Sequence, residues 1–224
     1  MKTIGMIGGM SWESSDLYYR LINEETKRHL GGHHNAPSLT ATVDFANVER
    51  LQHAGDWEQL GTLLANSAKS LEHGGADFIV LCTNTMHKMA ESITQAVRIP
   101  LLHIVDATAA AIKQSRQKRV GLLATKFTME ERFYKERMQN QFGIDVIVPS
   151  PASRQLVHDV IYQELCHGVI RQDSRERYQE IIRELADKGA ESIILGCTEI
   201  ELLIPGGFKA PCTPFYNHPR ACSC

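Results

Sequence analysis

Cys82 and Cys197 occupy matching contexts. In FIVLCTNT and in SIILGCTEI an apolar run leads into Cys-Thr, a polar residue follows, and a helical pattern begins. A sulfur placed there lies beside the first N–H groups of a helix. The positive end of the helix dipole can hold a thiolate at that point and draw its pKa from about 8.5 into the range of about 3.5 to 7.5. A single cysteine after a strand is most simply a small core residue. Two at equivalent places, each followed by Thr, point to chemistry. The chemistry that suits such a pair is inversion of a stereocentre: a thiolate removes a proton from one face of a carbon, a thiol returns one to the other, and the roles exchange with handedness. The hydroxyls of Thr83, Thr85 and Thr198, the amide of Asn84 and the helix N–H groups make a cradle for a carboxylate. A small carboxylic acid is therefore the expected guest, with electrostatic preorganisation standing in for a cofactor. No cofactor, pyridoxal phosphate included, and no metal is expected. Cys166 falls within a helical pattern and reads as packing.

The elements that must carry these cysteines alternate between short apolar β-rich runs and longer helical patterns, the signature of βα units around a mostly parallel sheet. Strands are predicted at Thr3 to Ile7, Ser38 to Val43, Phe78 to Leu81, Leu101 to His103, Arg119 to Leu123, Asp145 to Val148 and Ser192 to Leu195. Asp56 with Gln59, and Thr128 with Glu131, have the spacing of helix N-caps. The pattern is also duplicated. IGMIGGMSW is echoed by VGLLATKFT, and GGADFIVLCTNT by KGAESIILGCTEI. Gly5 precedes Cys82 by 77 residues and Gly121 precedes Cys197 by 76. The expectation is an α/β protein of two pseudo-symmetric lobes, each a mostly parallel sheet flanked by helices, facing one another across a shared cleft into which both cysteines look. Residues 1–115 would form the first lobe and 116–205 the second, with the division in the polar stretch KQSRQKR; residues 206–224 would be a tail packing back on the first lobe.

A chain of 224 residues with 43% hydrophobic content can bury a substantial core. Its 24 basic and 26 acidic residues form no long run of either sign, so neither nucleic acid nor a membrane surface is an expected partner. The first residues lack the apolar core of a signal peptide, and no apolar stretch approaches the roughly 20 residues of a membrane span, which suggests the cytoplasm. The six cysteines read as thiols rather than a disulfide framework. Cys212, Cys222 and Cys224 lack the paired spacing of a metal site. Gly5, Gly8 and Gly9 do not form GxGxxG and have no P-loop lysine, so the glycine loop suits a small carboxylate better than a nucleotide.

GGMSWES, VLCTNTMHK and LGCTEI closely resemble the aspartate/glutamate racemase family, and the resemblance runs from Met1 to about Pro205. It implies two Rossmann-like lobes, usually in a homodimer, with a cofactor-free site that interconverts L- and D-amino acids. It also implies that Cys82 and Cys197 are the acid/base residues. Met10, Ser11, Thr83, Asn84, Thr85, Thr125, Thr128 and Thr198 would line the substrate site, with Gln52 a further candidate. Arg50, His167 and Lys126 are candidates for a side-chain carboxylate, each also readable as a surface residue. His87 either tunes the Cys82 thiol or packs. His33 and His34 read as a surface turn, and Tyr18 and Tyr19 as core or dimer-interface packing. After Asn217 the chain departs from the family: YNHPRACSC replaces a Thr-rich loop and a last helix, as a frameshift or truncation would leave it. Rival readings are a hydantoin racemase, a maleate-type isomerase, a decarboxylase or a non-catalytic amino-acid sensor. An isomerase would use a cysteine as nucleophile and a decarboxylase would need only one proton donor.

Overall fold

The computed structural model describes residues 1–204 and the backbone of 215–217. The tail after Asn217, expected from sequence to depart from the family pattern, lies outside the described residues. The chain divides into two compact units, Met1–Ile104 and a second that begins at Val105.

The first unit runs β1 (Ile4–Gly8), α1 (Trp12–Leu30), β2 (Ser38–Thr42), α2 (Phe45–Ala54), α3 (Trp57–His73), β3 (Phe78–Leu81), a 3₁₀ turn (Thr85–Met89), α4 (Ala90–Ala96) and β4 (Leu101–Leu102). Its sheet is parallel throughout, in the order β2-β1-β3-β4. The second unit holds α5 (Ile104–Gln114, whose first residue closes the first unit), β5 (Arg119–Leu123), α6 (Lys126–Glu130) and α7 (Arg132–Phe142). It continues with β6 (Asp145–Ile147), α8 (Pro151–Gln163), a 3₁₀ turn (Leu165–His167), α9 (Gln172–Asp187), β7 (Ser192–Leu195), α10 (Ile200–Leu203) and β8 (Phe215–Asn217). Its sheet is again parallel, in the order β6-β5-β7-β8. The two units thus share one topology, offset by four strands. All seven strands expected from sequence are present: β2, β4 and β6 each end one residue sooner, β1 is shifted one residue along the chain, and β8 is additional.

The physical reason is the same in both units. β1, β3, β5 and β7 are central strands covered on both faces, so they read as continuous apolar runs rather than alternating ones. The helix before each cysteine-bearing strand carries a buried stripe at helical spacing: Leu60, Leu64, Ala68 and Leu71 on α3, and Tyr178, Ile181, Ile182 and Leu185 on α9. The first stripe packs with Ile7, Ile79, Leu81 and Ile93. The second lies tight against β5: a Cβ at Gly121 would stand 3.0 Å from Leu185 Cδ1 and 2.6 Å from Ile193 Cδ1, so glycine is what lets α9 settle there.

One expected cap holds and one moves. Asp56 caps α3, accepting from the Gln59 N–H at 3.1 Å. Thr128 does not cap a helix, because α6 starts earlier: Thr125, with extended ψ, is the cap and its hydroxyl accepts the Thr128 N–H at 3.4 Å.

Candidate active site

In each unit the candidate residues other than Gln52 sit at or just past the carboxyl ends of the two central strands. In the first, the Cys82 N–H donates to the Ile7 carbonyl at 2.9 Å, continuing the β1–β3 ladder by one residue and setting the cysteine beside the loop that leaves β1. In the second, the Gly196 N–H donates to Leu123 at 2.7 Å and does the same for Cys197.

The β1 loop is built around Gly9 at φ +90°, where a Cβ would run into the Val43 carbonyl. Met10 and Ser11 follow, both buried, and the Ser11 hydroxyl caps α1 by accepting the Ser14 N–H. Gln52 is buried on α2 and its side-chain amide donates to Met86 Sδ at 3.2 Å, next to Thr85. Cys82, Asn84 and Thr85 are buried, and Thr83 is half-buried. In the second unit Thr125 and Thr128 are buried at the end of β5, with hydroxyls 3.3 Å apart, while Cys197 and Thr198 are half-buried at the end of β7. Buried polar side chains concentrated at strand ends are a costly arrangement for a core and an ordinary one for a ligand site.

His87 is resolved by its partners. Its Nε2 accepts the Ile104 N–H at 3.2 Å, which leaves the proton on Nδ1, donated to the Thr83 carbonyl at 2.7 Å. The ring is neutral in this arrangement and ties the Cys82 loop to the start of α5, with His103 packed 4.5 Å away. Of the candidates for a side-chain carboxylate, Arg50 is exposed and donates to Asn47, His167 is exposed, and Lys126 donates to Gln155 at 3.0 Å. His33 and His34 are exposed, as a surface turn requires.

The dipole argument for the cysteines does not hold. Cys82 is followed by a 3₁₀ turn whose preceding residue, Asn84, makes no side-chain cap, and α4 has only seven residues. Cys197 is followed by α10, four residues long. Such short turns lack the stacked peptide dipoles that a thiolate would need. Two N–H groups expected in the carboxylate cradle are also committed to backbone: Cys82 to Ile7, and Thr83 to Leu81. For Cys197 the direction is reversed. Burial pushes its thiol well above the ordinary range, and the adjacent Glu199 carboxylate pushes it further. The Cys197 thiol donates to Glu199 Oε2 at 2.8 Å, and the Thr198 hydroxyl donates to the same oxygen at 2.9 Å. Glu199 is only 8% exposed and was not among the residues expected from sequence. The signal was its register: it stands two residues after Cys197, where the first unit has Asn84 after Cys82. No cluster of three or more His, Cys, Asp or Glu able to hold a metal occurs among the described residues. No helix of the described residues is long and apolar enough to cross a membrane.

Comparison with known proteins agrees with this architecture. A Yersinia pestis protein, provisionally described as an Asp/Glu racemase, has a crystal structure that superposes with a TM-score of 0.92 at 47% identity, covering 100% of this chain and 96% of that one. An aspartate racemase homologue from Pyrococcus horikoshii OT3 superposes with a TM-score of 0.83 at 29% identity, over 100% and 96% of the two chains. The broad specificity amino-acid racemase RacX of Bacillus subtilis is 26% identical over 66% of this chain, and the match spans 63% of that protein. The sequence profile of the Asp/Glu/hydantoin racemase family matches residues 7–210, and the chain belongs to that family.

Proposed function

We propose that this chain is an amino-acid racemase acting on aspartate or glutamate without pyridoxal phosphate, with Cys82 and Cys197 exchanging protons with opposite faces of the substrate α-carbon. The observation that carries this reading is the repetition of a Cys-Thr loop at the end of the same strand in two sheets of the same order. A decarboxylase would need one such donor; inversion needs two. In the reaction one thiolate takes the α-proton, the electron pair of the broken C–H bond is held by the substrate carboxylate and ammonium, and the other thiol forms the new C–H bond, leaving its own electron pair on sulfur. Total charge is unchanged.

Buried Ser11, Asn84, Thr85, Thr125 and Thr128, with Met10, Gln52, Thr83 and Thr198, would bind the amino acid. The relatives' names favour an acidic substrate, and the same reading takes the protein as a cytoplasmic homodimer. The test is incubation in deuterated water with L- and D-aspartate, glutamate and neutral amino acids, without pyridoxal phosphate, following the α-proton by NMR. Exchange with inversion, reduced by about a thousandfold or more in Cys82→Ser and in Cys197→Ser, is expected. A folded chain that exchanges none of these, or that inverts equally well with serine at both sites, would refute the reading; the first outcome, with amino-acid binding retained when both cysteines are serine, would indicate a sensor. Inversion of a hydantoin instead would move the substrate class.

A further inference from the structure

We infer that Cys197 and Glu199 form one acid/base pair holding a single proton between them, with Glu199 the positioning residue that keeps Cys197 a thiol ready to donate. The geometry is specific. The Cys197 thiol donates to Glu199 Oε2 across 2.8 Å, and the Thr198 hydroxyl donates to that same oxygen at 2.9 Å. The carboxylate sits behind the end of β7 on a buried side chain, where a hydrogen bond to an ionised acceptor is stronger than in water.

Among the described residues, the charged and titratable groups that raise the Cys197 thiol are acidic: Glu199 and Cys166. Cys166 and Tyr178 act on it or are acted on by it, and Glu164 lies near Tyr178 while accepting the Ser174 hydroxyl at 2.7 Å. The Tyr178 hydroxyl is held on the Val157 carbonyl at 2.9 Å, and burial and these neighbours keep it protonated. A thiolate beside Glu199 would therefore be two like charges at hydrogen-bond distance, which the pair avoids by retaining a proton. When Cys197 gives its proton to a carbanion, the S–H bond breaks, its electrons stay on sulfur and the carbanion pair becomes the new C–H bond. The pair has then lost its one proton and is driven to recover it from the next α-carbon or from solvent. The first unit has a neutral amide, Asn84, at the equivalent place.

The catalytic meaning of this pair rests on the proposed racemase activity; its existence does not. The experiment is the rate at which neutral iodoacetamide alkylates Cys197, read on its peptide by mass spectrometry from about pH 6 to about pH 10, in wild type, Glu199→Gln and Glu199→Asp. Loss of the charge in Glu199→Gln should move the profile at least one unit to lower pH, about tenfold faster alkylation near neutrality. Glu199→Asp, with its carboxylate drawn back by one methylene, should move it in the same direction by less. Profiles that coincide with wild type or move to higher pH overturn the pair. If Glu199→Gln does not fold, as judged by circular dichroism, the Asp variant decides by the same criterion. A shifted profile in a chain that turns over no amino acid would sink the racemase reading and leave the pair. Turnover with an unshifted profile would do the reverse.

Discussion

The loops that follow β3 and β7 begin alike and end differently. Each leaves a fully covered parallel strand, each opens with Cys-Thr, and each is anchored by a backbone bond to the neighbouring central strand. Beyond that point the first loop has Asn84 and a histidine strap, His87, bonded at both ring nitrogens to backbone. The second has Glu199 bonded to the sulfur itself, and at the position corresponding to His87 it has Leu202, half exposed. The Cys82 N–H bonds to β1, and the Cys197 thiol bonds to a carboxylate of its own loop. Duplication of a fold thus need not duplicate the surroundings of its reactive groups: the residue two places after the cysteine is an amide in one unit and a carboxylate in the other.

Exchanging side chains between the two loops tests how far they differ. The largest effect is expected from moving the carboxylate across. Asn84→Glu would put a charge at a position 5% exposed with no second-unit surroundings to receive it, costing about 3 kcal/mol in urea unfolding and more than a hundredfold in turnover. His87→Leu imports the second unit's residue into the first. It strips the Ile104 N–H and the Thr83 carbonyl of their partner and should cost about 2 kcal/mol, read by thermal unfolding. Gly121→Ala forces Leu185 and Ile193 aside and should cost about 1 to 2 kcal/mol. Ser11→Ala and Thr125→Ala remove the caps of α1 and α6; if the two loops are equivalent, each should lose about 1 kcal/mol and the two losses should match.

The mildest effect is one of pH. The folded Cys197 holds its proton above the pH, about 8.5, at which an unfolded chain releases it. Between those values the unfolded state binds fewer protons than the folded state, so stability falls as pH rises beyond about 8.5. Denaturation midpoints in Glu199→Gln should decline less steeply over that range than in wild type.

The fold was legible because parallel central strands advertise themselves as apolar runs, and because the repeated GGAD and KGAE turns mark where each cysteine-bearing strand begins. The candidate residues likewise gathered at strand ends by the logic of βα connections. What sequence could not supply was the conformation of the segments just past the cysteines. A Cys-Thr-polar run followed by helical spacing looks like a helix start, yet α10 is a single turn and Thr85–Met89 is 3₁₀, so the dipole that would favour a thiolate is absent. Glu199 was overlooked for a related reason. In sequence it is a solvated charge on a helix, and only the fold turns it back toward the sulfur. The displaced cap at Thr125 is the same kind of error, one turn of register inside a correctly placed loop.

The shared sheet order also governs how each unit is assembled. The first strand made in either unit, β1 or β5, becomes a central one, and its partner β3 or β7 lies more than 70 residues further along: Ile4 pairs with Phe78, and Val120 with Ser192. Neither sheet has its middle until nearly all of its own segment exists, so folding is governed by long-range pairing and is slow for the size of the unit. Yet each unit's pairings stay within its own stretch of chain, so the first can close while the second is still being synthesised. The ribosome therefore meets two successive delays rather than one long one, and the apolar strands β1 and β5 are each exposed to misassociation for the length of a single unit.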